Sequence, residues 1–123
     1  MAALIESSVA ILLFCLLFTK AFGACTLDNI NIGTVRSGRE IRGQPEWNVT
    51  VINNCPCPQS QIKLSCVGFQ SATNVDPSIF LKQDDLCLLI NGNPLQPFAS
   101  VSFSYAWDPP FLLLPNNSMV EGC

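Results

Sequence analysis

This sequence predicts an all-β fold: a single small antiparallel β-sandwich, or small barrel, stapled by three disulfides and preceded by a signal-peptide helix. Three observations predict it. Apolar and polar residues alternate with a period of two along several segments, as strands with one buried face require. No segment keeps a helical period over three turns. Six cysteines, Cys25, Cys55, Cys57, Cys66, Cys87 and Cys123, follow a short apolar leader, which is the pattern of a disulfide framework in an exported domain.

The leader comes first. Val9–Phe18 is an unbroken apolar run, short of the roughly 20 residues a membrane-spanning helix needs, and it suits the core of a signal peptide. Met1–Ser8 carries no Lys or Arg and includes Glu6. Ala21-Phe22-Gly23 offers small residues at the two positions that a signal peptidase reads, which places cleavage after Gly23. Residues 1–23 are therefore expected to be a signal peptide and 24–123 a cysteine-rich β domain. Cys15 leaves with the leader. An uncleaved anchor is disfavoured by the short run, and lipidation at Cys25 by the missing basic region.

The strands follow in order. Ile30 and Ile32 suggest a short first strand. Trp47, Val49 and Val51 alternate with Asn48 and Thr50, and Ile62, Leu64 and Cys66 alternate with Gln61, Lys63 and Ser65. By that parity Cys55 and Cys66 point to the core. Leu86–Ile90 is continuously apolar and predicts a central strand buried on both faces. Asn91-Gly92 after it supplies the positive φ of a tight turn. Val101, Phe103, Tyr105 and Trp107 share one face of a long final strand, and Ser100, Ser102, Ser104 and Ala106 share the other. Pro56 and Pro58 end the strand before Cys57, and Asp108-Pro109-Pro110 ends the final one, because proline cannot donate to a ladder. Asp76-Pro77-Ser78 predicts a brief helical turn. About six to eight strands result. Cys55 and Cys57 are too close in sequence to bridge each other without strain, and the connectivity otherwise stays open.

The chain contains no histidine. That excludes Ser-His-Asp and Cys-His catalysis and every histidine-containing zinc site. Cysteine-only zinc is disfavoured because the Cys55-Pro56-Cys57 spacing lacks a second close pair and export favours oxidation. Asp84-Asp85 is the sole adjacent acidic pair and reads as a solvated turn rather than a glycosidase dyad. No enzyme activity, cofactor or metal is expected. After the leader, five basic residues face eight acidic ones, a net charge of −3. An acidic balance argues against nucleic acid and against anionic membranes.

Arg36, Arg39 and Arg42 recur every third residue in Thr34–Gly43 and are the only local concentration of positive charge. They read either as a solubilising loop or as a docking patch, since guanidinium forks pair with carboxylates and are enriched at interfaces. Trp47, Tyr105 and Trp107 could stack on sugar rings, although their phase favours core packing. Asn48-Val49-Thr50 and Asn116-Asn117-Ser118 are N-glycosylation sequons.

The segments Gly38–Cys55, Cys66–Ser71, Val75–Ile79, Leu86–Leu95 and Phe103–Phe111, together with all six cysteines, resemble the tapetum-determinant-like family of small secreted plant proteins. The resemblance implies a cysteine-rich signalling ligand, secreted to the apoplast. Its founding member acts in anther cell-fate specification and is recognised by the ectodomain of a leucine-rich-repeat receptor kinase. Such an ectodomain is the partner this resemblance implies. The resemblance transfers no contact residues, and the charge pattern itself places the expected contact around Arg36, Arg39, Arg42 and neighbouring loops. The alternative is an extracellular carbohydrate or cell-wall-binding module. A lipid carrier is a third, disfavoured by strand periodicity and by six cysteines where helical plant carriers use eight.

Overall fold

The computed structural model describes residues 25–123. The expected signal peptide, its expected cleavage point and Cys15 lie outside the described residues.

Seven strands form two antiparallel sheets. They are β1 (Ile30–Ile41), β2 (Gln44–Asn53), β3 (Gln59–Ser65), β4 (Phe80–Gln83), β5 (Leu86–Leu89), β6 (Ser100–Ala106) and β7 (Leu114–Val120). One sheet has the order β1-β2-β6 and the other β4-β5-β3-β7. The predicted sandwich is therefore present, and its alternation carries through to burial. Val49 faces Phe103 and Trp47 faces Tyr105 across the β2–β6 ladder. Val49, Val51, Phe103 and Tyr105 turn inward against Ile62, Leu64, Phe80 and Leu89 of the second sheet. Phe80 stacks on Phe103 with ring centroids 4.2 Å apart, which joins the two layers directly. Phe69, in the connection between β3 and β4, meets Phe80 and Tyr105 edge-on at 5.0 and 5.2 Å. Edge-to-face contacts of this kind add to the area each ring buries.

The strand ends also obey their punctuation. β2 stops at Asn53 before Pro56, and β6 stops at Ala106 before Asp108-Pro109-Pro110. Asp76–Ile79 forms the expected turn, with the Ile79 and Phe80 N–H groups donating to the Asp76 carbonyl at 3.0 Å. Asp84-Asp85 is the turn of the β4–β5 hairpin. Ile90, Asn91 and Gly92 all have positive φ, and this turn transfers the chain from the second sheet to the first. A side chain at Gly92 would collide with Gln61, whose amide lies 2.7 Å from where a Cβ would sit.

Three expectations need correction. The first strand is the longest, twelve residues, and takes in Arg36 and Arg39, while Arg42 lies in the turn that follows, so the arginine segment is not a loop throughout. Its apolar period is hidden because it is a sheet edge with little to bury. The Asp108-Pro109-Pro110 break does not end the last strand, because β7 follows it. β7 is also an edge, where Pro115 and a polar composition are tolerated. Leu86–Ile90 is not buried on both faces. Cys87 and Leu89 are buried while Leu86 and Leu88 are half-exposed, since β5 has the core on one face only. A smaller departure is Ala106, which has the parity of the serines but is buried. Ser71 Oγ accepts its N–H at 2.9 Å, and Ala72 N–H donates to its carbonyl at 2.8 Å.

The bridges are Cys25–Cys55, Cys57–Cys123 and Cys66–Cys87, with Cα separations of 6.0, 5.8 and 6.0 Å. Cys55 and Cys57 each take a different partner, and Cys55 and Cys66 are fully buried as parity requires. Two bridges thus tether both ends of the domain to the short Cys55-Pro56-Cys57 segment. The third joins the end of β3 to β5.

Candidate functional site

The three arginines lie on one hairpin. β1 and β2 pair from Ile30↔Asn53 to Arg36↔Trp47, then resume at Glu40↔Pro45 and Ile41↔Gln44. Ser37, Gly38 and Arg39 therefore oppose Glu46 alone. They form a bulge that ends regular pairing and turns the strand outward. Arg42 and Gly43 close the hairpin with φ of 52° and 78°. Positive φ at both central residues is the twist-matched geometry of a two-residue hairpin. It places Arg42 at the extreme tip.

Each guanidinium has a different setting. Arg36 Cζ lies 5.9 Å from the centroid of the Trp47 ring, at the outer range of a cation–π contact. Arg39 Nε is 3.9 Å from Glu46 Oε1, and with the arginine side chain 73% exposed this pair adds little stability. Arg42 makes no ion pair among the described residues. All three are exposed, so the hairpin presents guanidinium groups to solvent on a chain whose net charge is −3. Guanidinium groups presented in this way can pair with carboxylates.

The aromatic platform does not form. Tyr105 is fully buried, and its hydroxyl accepts the Phe111 N–H at 2.9 Å. Burial pushes its phenol above the ordinary range, opposed in part by that hydrogen bond. Trp47 and Trp107 are half-buried, and the Trp47 indole N–H donates to the Trp107 carbonyl at 2.8 Å. Elsewhere, the Ser78 hydroxyl at 2.7 Å and then the Ser78 N–H at 2.9 Å hold the Asp76 carboxyl below its ordinary range.

Both sequon asparagines are exposed. Asn48 sits mid-strand on the outer face of the three-stranded sheet, between Val35 and Ser104, and its Oδ1 accepts from Ser104 Oγ at 2.7 Å. On that face Gly33 and Val35 from β1, Thr50 and Ile52 from β2, and Ser100 and Ser102 from β6 are uncharged, and Glu46, in the same phase as Asn48, lies at its hairpin end. Asn116 lies on β7. The sulfurs of Cys25, Cys55 and Cys57 lie within 4.8 Å of one another, but all three are committed to bridges.

Sequence reasoning missed a buried polar network at the end of the sandwich opposite the hairpin tip. Asn53, fully buried, donates from Nδ2 to the Cys57 and Leu95 carbonyls at 2.9 Å and to Gln96 at 3.2 Å. Its Oδ1 accepts from Gln59 Nε2 at 3.1 Å, and Gln59 Oε1 accepts from Ser118 Oγ at 2.7 Å. The available signal was parity, since Asn53 continues the inward phase of Val49 and Val51.

The model of the family described as "Tapetum determinant 1, C-terminal" matches residues 26–121, which takes in all seven strands and the whole arginine hairpin. The chain belongs to the tapetum determinant 1 family. Its relatives include TPD1 protein homolog 1 of Arabidopsis thaliana, 35% identical over 85 residues, covering 67% of this chain and 48% of the relative. TPD1 protein homolog 1A of Oryza sativa subsp. japonica is 35% identical over 101 residues, covering 74% of this chain and 44% of the relative. The chain thus spans about half the length of the curated relatives it matches. No solved structure matches it. Among the described residues no helix is long and apolar enough to cross a membrane.

Proposed function

We propose that this member of the tapetum determinant 1 family is a secreted, apoplastic signalling ligand for the ectodomain of a leucine-rich-repeat receptor kinase. The role would lie in plant cell-fate specification or anther development. The observation that carries the reading is family membership across nearly the whole described domain. Three bridges suit an oxidising compartment. A stapled sandwich also presents a preorganised surface, which lowers the ordering cost of binding. In this reading Arg36, Arg39 and Arg42 steer the ligand towards an acidic receptor surface, Asn48 carries a glycan on the outer face of the three-stranded sheet, and no catalysis, cofactor, nucleic acid or membrane is involved.

The carbohydrate-binding alternative loses one of its three aromatics with Tyr105 buried, and is left with the half-buried Trp47 and Trp107. The test is titration of oxidised protein lacking residues 1–23 against purified leucine-rich-repeat ectodomains. Saturable binding to at least one, weakened by replacing the three arginines with glutamine and by added salt, is expected. Saturable binding to none would sink the reading.

A further inference from the structure

Asn93–Ser100 links the turn after β5 to β6 and contains no charged residue. Within it, Phe98 has a φ of 58° and is 64% exposed. A bulky side chain in the left-handed region is a genuine outlier, because its Cβ crowds the following carbonyl. Phe69, Phe80 and Phe103 are buried in the core and Phe111 is half-buried, so Phe98 is the exposed phenylalanine of the described residues. Its ring therefore contributes little to the packing that would offset the backbone cost.

The surrounding structure holds that conformation in place. Phe98 N–H donates to the Asn53 carbonyl at 2.8 Å, and Asn53 N–H donates to Ala99 at 2.9 Å. Ala99 N–H donates to Gln96 at 3.0 Å, while the Asn53 amide grips the Leu95 and Gln96 carbonyls from inside. The Cys57 carbonyl, beside two disulfides, completes the clamp on Asn53. Strain of this kind persists where the fold over-determines it, and it concentrates at functional sites.

We propose that Phe98 is the anchor side chain of this ligand, inserting into an uncharged, ring-sized apolar pocket of its receptor ectodomain. The inference rests on the signalling reading above and adds where the contact is centred. The neutrality of Asn93–Ser100 fits an apolar protein pocket and offers nothing to anionic lipid headgroups. Phe98 and the Arg42 tip lie at opposite ends of β2, which at about 3.3 Å per residue separates them by roughly 30 Å. An interface of ordinary size, about 800 Å² per partner, centred on Phe98 leaves Arg42 beyond its rim. The ring then governs dissociation, whereas the arginines govern the approach rate and its salt dependence.

The experiment compares oxidised wild type, Phe98→Gly, Phe98→Asn and Phe98→Tyr by surface plasmon resonance on leucine-rich-repeat ectodomains, with thermal unfolding measured in parallel. Gly and Asn accept the left-handed backbone but remove the ring. Both are expected to unfold at temperatures no lower than wild type and to bind at least about 30-fold more weakly, through faster dissociation. Phe98→Tyr is expected to bind within a few fold of wild type. Wild-type binding that Phe98→Gly leaves within threefold overturns the anchor and spares the ligand reading. A lowered unfolding temperature for Phe98→Gly also overturns it, because the ring would then be part of the core. Absence of wild-type binding to every ectodomain overturns both.

Discussion

Asn53→Asp replaces one side-chain nitrogen with oxygen and leaves the shape unchanged. The amide nitrogen it removes faces three carbonyl oxygens, those of Cys57 and Leu95 at 2.9 Å and Gln96 at 3.2 Å. An ionised carboxyl there would set like partial charges against each other in a site with no solvent access. The folded protein avoids this by keeping the new carboxyl protonated. Holding it so at pH 7, against an unfolded pKa near 3.9, costs about 1.4 kcal/mol per pH unit, or about 4 kcal/mol. One hydroxyl also replaces two N–H donors, which adds about 1 kcal/mol. The folded pKa is raised above the unfolded value, so the variant is relatively most stable below about pH 4 and loses stability as pH rises towards 7. For a domain of this size that loss corresponds to a melting temperature lower by on the order of 20 °C at pH 7. Thermal unfolding of both proteins at pH 7 and pH 4 reads it directly, with Asn54→Asp, an exposed neighbour, as a control expected to change little. A penalty equal at the two pH values would refute the reasoning, since it would mean that the amide nitrogen does not face those carbonyls.

Other outcomes follow from the same geometry. Tyr105→Phe leaves the Phe111 N–H without its acceptor and is expected to cost about 1–2 kcal/mol by chemical denaturation. In the wild type the Tyr105 phenol is raised above its ordinary value of 10.0, so its contribution is complete below pH 10 and is lost as pH rises through the folded pKa, which a denaturation series in alkaline buffers reads. Paired Cys→Ser replacement of Cys57–Cys123, which closes 66 residues, is expected to cost about 4 kcal/mol, against about 3 kcal/mol for Cys66–Cys87, which closes 21. Arg42→Gly, at a φ of 52°, is expected to keep or raise the unfolding temperature while removing the tip charge. Ser78→Ala removes the larger cause of the lowered Asp76 pKa. An NMR titration should show that carboxyl moving up towards its ordinary value, so that the stability it adds above that value begins to fade at a higher pH as acid is added.

The parts of the fold legible in the sequence are those where burial imposes a period. β2 and β6 each carry three apolar side chains in the inward phase and β3 carries two, Ile62 and Leu64, with Cys66 continuing that phase, and the proline and Asn-Gly stops fall where the ladders end. β1 and β7 are edges with solvent along much of their length, so their residues answer to turn geometry and charge rather than to a core. Cysteine parity indicated which sulfurs face inward, but pairing depends on how two sheets meet, and that information is distributed over the whole chain. The arginine cluster was visible as a cluster. Its place on a bulged hairpin was not, because Ser37 and Gly38 interrupt the period that would have marked a strand. Asn53 shows in the sequence only as a continuation of the inward phase of Val49 and Val51, since an asparagine is recognised as core only when the carbonyls it satisfies are brought together by folding.

The disulfides are distributed unevenly, and the unevenness bears on how such a domain can bind. Cys25–Cys55 and Cys57–Cys123 sit with the Asn53–Gln59–Ser118 network at one end, where backbone from the start of β1, the end of β2, the start of β3, the Leu95–Ala99 loop and β7 is held together. The arginine hairpin at the other end has no bridge and depends on ladder pairing, a bulge and one exposed ion pair. Long guanidinium side chains on an unbraced tip lose rotamer freedom when they are immobilised, so much of the attraction they gain on contact is offset. A ring on a clamped loop has already given up its backbone freedom during folding. The stapled end can therefore support a slow-dissociating contact, while the charged tip is better suited to attracting a partner than to retaining it.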